Sequence, residues 1–132
     1  MTIVERESPS ARRILLVEDN FLVGESIRRE LEAMGCAVRG PVATLEQGRD
    51  IAGSERFDAA ILDINIRGGL STEIAQVLRG RSCPVVFITG YGTLDAMPPE
   101  LRETRRLNKP IDRATLAAVI DDLLGECRLT DG

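Results

Sequence analysis

Ala59-Ala60-Ile61-Leu62-Asp63-Ile64-Asn65 is the stretch whose reading decides the fold. Four apolar residues run straight into one carboxylate, with Phe57-Asp58 before them and Arg67-Gly68-Gly69 after. A short apolar run bounded by turn residues predicts a strand covered on both faces. At the carboxyl end of such a strand a side chain lies on the rim where open α/β sheets bind their ligands. Asp is also common in turns, so Asp63 has a plainer reading as the cap of the next turn. The rest of the chain has to choose between the two.

Working outward, Ile14-Leu15-Leu16-Val17 is a second apolar strand and ends in Glu18-Asp19-Asn20. Val23, Ile27, Leu31 and Met34 recur at helical spacing, and Gly35 is a sensible stop. Cys36 to Val42 is a weaker strand, placed near an edge by Gly40 and Pro41. Thr44 and Gln47 have capping-box spacing for a short helix that ends near Gly53-Ser54. Leu70, Ile74, Val77 and Leu78 mark a helix that stops at Gly80. Val85-Val86-Phe87-Ile88 is a further strand, ending in Thr89-Gly90-Tyr91-Gly92. Met97-Pro98-Pro99 breaks up residues 93–104, which leaves a short helix or a mobile loop. Arg105 to Asn108 reads as a last short strand before Lys109-Pro110. Leu116, Val119, Ile120, Leu123 and Leu124 give the final amphipathic helix, capped by Asp112 and ending near Gly125.

Strand and helix alternate five times, which predicts a parallel sheet with helices on both faces. The expected fold is α/β: a doubly wound five-stranded parallel sheet of flavodoxin-like 2-1-3-4-5 order, its fourth helix short or mobile. The expected organisation is a tail over 1–11, one domain over 12–127 and a short tail over 128–132.

Composition excludes several functions. The net charge is −4 and no basic tract is present, so neither nucleic acid nor an anionic membrane is expected as a partner. There is no histidine, which removes Ser-His-Asp and Cys-His mechanisms and leaves the three scattered cysteines without partners for a zinc site. They read as reduced thiols, and with no signal peptide or membrane span in view the expected location is the cytoplasm.

All carboxyl ends of a parallel sheet share one edge. Glu18, Asp19, Asp63, Thr89 and Lys109 therefore converge there. Each alone has an ordinary explanation as a cap, a turn residue or a solvated charge. Their meeting on one rim favours a site. Three close carboxylates repel unless a cation joins them, and hard oxygen ligands suit Mg²⁺, with the Asn65 carbonyl as one more donor. A lysine and a hydroxyl beside them would neutralise and orient a phosphoryl group, and Asp63, at the centre, is the natural covalent acceptor.

The motifs Ile14-Leu15-Leu16-Val17-Glu18-Asp19-Asn20, Ile61-Leu62-Asp63-Ile64-Asn65, Phe87-Ile88-Thr89-Gly90 and Asn108-Lys109-Pro110 occur in order. In this the chain resembles the response-regulator receiver domains of two-component signalling, over about residues 12–127. The resemblance implies that Asp63 takes a phosphoryl group from the phosphohistidine of a sensor kinase. It implies that Glu18, Asp19, Asp63 and the Asn65 carbonyl hold Mg²⁺, that Thr89 hydrogen-bonds the phosphoryl oxygens and that Lys109 pairs with them. The domain would promote its own phosphorylation and dephosphorylation, as a switch rather than an enzyme. With only a polar tail after Gly125, the expectation is a stand-alone receiver. It would act through contacts with an unidentified downstream protein or as a phosphate sink.

The chain departs from the usual receiver pattern at three places. Ile66-Arg67 replaces a common Met-Pro, Gly90 replaces a small Ala or Ser, and Arg106 replaces the usual aromatic that reports on the threonine. Phe87-Ile88-Thr89-Gly90-Tyr91 resembles the FATGUY subgroup of receivers. Residues 91–104 are then the candidate switch, with Gly90, Tyr91, Gly92 and Arg106 in or beside it. Two alternatives fit less well. A haloacid-dehalogenase-like phosphatase would place its nucleophile after the first strand, and a flavodoxin-type domain would not put Glu18-Asp19-Asn20 against an anionic cofactor.

Overall fold

The computed structural model describes residues 11–90, 104–109 and 111–131. The first strand, β1 (Arg13–Val17), leads into helix α1 (Phe21–Ala33), strand β2 (Ala37–Val42) and helix α2 (Leu45–Ser54). Next comes β3 (Ala59–Asp63), then a two-residue pair β4 (Asn65–Ile66) and β5 (Gly69–Leu70), then helix α3 (Thr72–Gly80). Strands β6 (Val85–Thr89) and β7 (Arg105–Asn108) and helix α4 (Arg113–Asp131) complete the described elements. The main sheet is five-stranded and parallel, in the order β2-β1-β3-β6-β7. Counting only its own strands, that is the expected 2-1-3-4-5.

The central strands explain the order. Every residue of β3 and β6 is buried, as continuous apolar runs covered on both faces must be. Successive side chains point to opposite faces, so each strand feeds two cores. Leu15, Val17, Ala60, Leu62, Val85 and Phe87 pack under α2 and α3 with Ala52, Ile74 and Leu78. Ile14, Leu16, Ile61, Val86 and Ile88 pack under α1 and α4 with Ile27, Leu31, Leu116, Ile120 and Leu123. Burying an aliphatic side chain of this size contributes about 1.5–3 kcal/mol. Strands β2 and β7 lie at the edges, where the Gly-Pro of one and the arginines of the other are tolerated.

The caps follow the sequence closely. Asn20 Oδ1 accepts from the Val23 amide at 3.1 Å, so Asn20 is the cap of α1 and Asp19 is not. Thr44 Oγ1 accepts from the Gln47 amide at 3.2 Å, and Asp112 Oδ1 from the Thr115 amide at 2.8 Å.

Three details differ from expectation. Met34 caps α1 and is exposed, because the helix closes at Ala33 before the periodic pattern runs out. Leu70 belongs to a hairpin with Asn65 and not to α3, since Gly68 and Gly69, both at positive φ, turn the chain back on itself first. Helix α4 continues through Asp131, past Gly125, because a helix-interior Gly costs only about 1 kcal/mol. The expected short or mobile fourth helix, with Tyr91 and Gly92, lies outside the described residues.

Beside the rim, β2 bends where its register with β1 shifts between Leu15 and Val17. Gly40 sits there at φ +128°, and a Cβ on it would lie 2.2 Å from the Leu16 carbonyl oxygen. Helix α1 comes down over the next residue, since a Cβ on Gly24 would lie 2.7 Å from Pro41 Cβ. Both contacts bring the start of α1 close over the end of β1. Gly40→Ala is therefore expected to destabilise the protein by at least about 2 kcal/mol, read as a lower urea midpoint. An unchanged midpoint would show that the bend relaxes freely.

Candidate functional site

Strand geometry places each rim residue. Glu18 directly follows β1, and its amide donates to the Val42 carbonyl at 2.9 Å, tying it to β2. Asp63 is the last residue of β3 and pairs in register with Ile88. Thr89 ends β6 opposite Asn108, and the Lys109 amide donates to the Thr89 carbonyl at 2.9 Å. Five side chains from four strand ends are thereby gathered without any of them being near another in sequence, apart from Glu18 and Asp19.

The charges close the site. Carboxylate oxygens of Glu18, Asp19 and Asp63 all lie within 4.8 Å of one another. Glu18 is 1% exposed and Asp63 6%, while Asp19 is half-buried. Lys109 reaches into this cluster, with Nζ 3.0 Å from Asp63 Oδ2 and 2.9 Å from Glu18 Oε1. Glu18 Oε2 accepts from the Asn20 amide at 3.0 Å. Its other oxygen, Oε1, faces Lys109 as an ion pair without hydrogen-bond alignment, so a buried carboxylate oxygen is left short of a donor.

Burial pushes the Glu18 carboxyl above its ordinary range, helped by Asp63 beside it and opposed by the Asn20 amide and Lys109. Burial works against the Lys109 ammonium, but its bonds to Glu18 and Asp63 outweigh that and hold it above its ordinary value. One ammonium thus pairs with two of the three carboxylates. That residual negative charge on buried hard oxygen donors fits a small divalent cation.

The two remaining predicted residues of the ligand and phosphoryl sets are Thr89 and Asn65. Thr89 is 9% exposed at the end of β6, on the same edge as Asp63. Asn65 is exposed in β4, opposite Leu70. The Ser71 amide donates to the Ile64 carbonyl at 2.8 Å, and antiparallel bonding alternates. Asn65 accordingly falls at the non-bonded position, its carbonyl turned away from β5. Gly90 is exposed immediately after β6, and Arg106 is exposed on edge strand β7 opposite Phe87.

Sequence reasoning did not find Ser71. It is fully buried, and its Oγ donates to the main-chain carbonyl of Asp63 at 2.6 Å. A serine just ahead of a helix reads as an ordinary N-cap, and nothing in the sequence says that it points the other way. The Asn65–Leu70 hairpin was missed as well, although Gly68-Gly69 after Arg67 is a fair turn signal.

A doubly wound parallel sheet with an acidic triad, a lysine and a threonine on its carboxyl edge defines a narrow class of proteins. The family of the response regulator receiver domain matches residues 14–121, and the chain belongs to it. Among curated relatives, the transcriptional regulatory protein QseB of Escherichia coli O157:H7 is 32% identical over 124 residues, which is 91% of this chain and 55% of the relative. The photosynthetic apparatus regulatory protein RegA of Cereibacter sphaeroides is 27% identical over 105 residues, 76% of this chain and 56% of the relative. The chain thus spans about half the length of the curated relatives it matches.

Solved structures agree. SdrG from Sphingomonas melonis Fr1 is 34% identical with a TM-score of 0.75, the match covering 89% of this chain and 99% of that one. A CheY-like receiver domain protein from Methanospirillum hungatei JF-1 is 26% identical with a TM-score of 0.77, covering 93% and 100%. Receiver domains are phosphoacceptor switches of two-component signalling that accept phosphate from histidine kinases and bind Mg²⁺ at an acidic site. The family assignment displaces the phosphatase and flavodoxin alternatives. Among the described residues no helix is long and apolar enough to cross a membrane.

The raised Glu18 carboxyl has a consequence for stability. The unfolded chain loses this proton near the ordinary value of 4.5, whereas the folded protein holds it to higher pH. Glu18 therefore lowers stability as pH rises from about 4.5 through its raised folded value. In metal-free buffer Glu18→Gln is expected to flatten that loss and raise the thermal midpoint at pH 7. Parallel pH profiles for the two proteins would show that Lys109 already compensates Glu18 in full.

Proposed function

We propose that the receiver unit, taken as residues 12–127, accepts a phosphoryl group on Asp63 and works as a switch. The observation that carries this is the grip of Lys109 Nζ on Asp63 Oδ2 at 3.0 Å within the acidic triad. Glu18, Asp19, Asp63 and the Asn65 carbonyl would hold Mg²⁺. The ion would offset the charge of the incoming phosphoryl group and of the carboxylate.

An oxygen of Asp63 attacks phosphorus, and the N–P bond of the donor phosphohistidine breaks. The electron pair leaves on the imidazole nitrogen, and Asp63 becomes an acyl phosphate. Lys109, already beside Asp63, moves its charge onto a phosphoryl oxygen. The Thr89 hydroxyl donates to another. The same residues would promote transfer from small phosphodonors and the later hydrolysis by water. Catalysis here rests on positioning and charge, which is what phosphoryl transfer requires.

The donor is a sensor histidine kinase. Phe21 and Leu22, 70% and 77% exposed at the start of α1 beside the acidic rim, offer apolar surface to it. In the stand-alone reading, output passes to a downstream protein by contact or the domain drains phosphate from a kinase, in the cytoplasm and with no nucleic acid or membrane as direct partner.

Acetyl phosphate with Mg²⁺ is expected to label the protein and not Asp63→Asn. Equal labelling of both would remove Asp63 as the acceptor. Phe21→Ser with Leu22→Ser should slow labelling by a phosphorylated kinase at least tenfold and leave acetyl phosphate labelling unchanged. Equal slowing from both donors would count against the docking role.

The switch is placed after Thr89, in residues 91–104, as in the FATGUY receivers that the Phe87–Tyr91 stretch resembles. Support comes from Arg106, whose exposed position on β7 holds no aromatic ring to follow the threonine. Beryllofluoride with Mg²⁺ should shift the backbone amide resonances of residues 91–104 more than those of β7. Shifts confined to the metal ligands would defeat this reading.

A further inference from the structure

Ser71 occupies the N-cap position of α3, where a serine hydroxyl normally accepts from the first turn of the helix. Here it makes no such bond. The hydroxyl is turned backward and donates to the Asp63 carbonyl at 2.6 Å, while the Ser71 amide donates to the Ile64 carbonyl at 2.8 Å. Both acceptors belong to the peptide units that join Asp63 to Asn65. The third restraint on this turn is the Ile64 amide, which donates to the Ile88 carbonyl at 3.1 Å. Ser71 itself is fully buried, so water does not compete for its hydroxyl.

The helix has given up a side-chain cap to hold two successive carbonyls. What those carbonyls fix is the turn between a carboxylate and a main-chain oxygen that must face the same ion. We propose that Ser71 is a positioning residue for the cation site: its paired bonds set the Asp63–Ile64–Asn65 turn so that the Asp63 carboxylate and the Asn65 carbonyl present their oxygens together. This rests on the functional reading above. Loss of the hydroxyl releases one carbonyl, lets the turn relax and separates the two ligands. The effect falls on Mg²⁺ affinity before any phosphoryl group is present.

The test is Mg²⁺ binding by calorimetry, without phosphodonor, on the wild type, Ser71→Ala, Ser71→Thr and Ser71→Cys. Ser71→Ala should weaken Mg²⁺ about fivefold, the factor that corresponds to one neutral hydrogen bond. Ser71→Thr keeps the donor and should stay within about twofold of wild type. Ser71→Cys keeps the volume with a weaker donor and should fall between, which carries the comparison if the alanine variant fails to fold. Leu31→Ala, which lowers stability from the far end of α1, away from the rim, should leave Mg²⁺ affinity unchanged. Weakening by Leu31→Ala equal to that by Ser71→Ala would reduce Ser71 to a stability role, and wild-type affinity in the Ala and Cys variants would overturn the proposal outright. Wild-type protein that neither binds Mg²⁺ nor takes label from acetyl phosphate would instead refute the functional reading itself.

Discussion

The arrangement depends on one ammonium among three carboxylates. Lys109 reaches Asp63 and Glu18 at about the same distance. Burying Glu18 and Asp63 is costly, and a single lysine leaves net negative charge in a site largely closed to water. The fold holds this tension in place because β1 and β3 are pinned by apolar side chains on both faces. A divalent cation would relieve it.

The backbone around the rim is built for stiffness. Bonds run from Glu18 to Val42, from Lys109 to Thr89, from Ile64 to Ile88 and from Ser71 to Ile64, so every strand end is tied to a neighbour. The hairpin after Asp63 is tied in turn to the start of α2, where the Leu45 amide donates to the Arg67 carbonyl at 2.9 Å. Movement of the acceptor strand end would therefore be felt at α2 as well as along β6. Arg106, exposed on the edge strand, offers no buried ring to carry a signal across β7.

Much of this was legible in the sequence for a plain reason. Uninterrupted apolar runs such as Ile61-Leu62 and Val85-Val86-Phe87-Ile88 have one stable location, the centre of a parallel sheet, and chain order with right-handed crossovers then leaves few topologies. The edge position of β2 was readable from Gly40-Pro41, and the caps of α2 and α4 from Thr44 and Asp112. The candidate site residues were readable because each stands at a strand end, where burial changes to exposure within one residue. Signals depending on a single side chain's direction were not readable. Met34 continues a helical pattern after the helix has closed, and Leu70 matches a period to which it does not belong.

The sequence by itself determined the fold and the identity of the rim residues, because hydrophobic pattern and chain order act over whole segments and do not depend on where one side chain points. Tertiary structure alone decided how those residues meet. Only there does Asn20 take the cap of α1 and leave Asp19 to the triad, and only there does Lys109 bridge Glu18 and Asp63. Ser71 shows the limit most clearly. Its place before α3 predicts a cap, yet the nearby Asp63 carbonyl, brought within 2.6 Å by the packing of β3 against α3, captures the hydroxyl instead. A hydrogen bond is decided by distances of a few tenths of an ångström, and those exist only once the chain has folded.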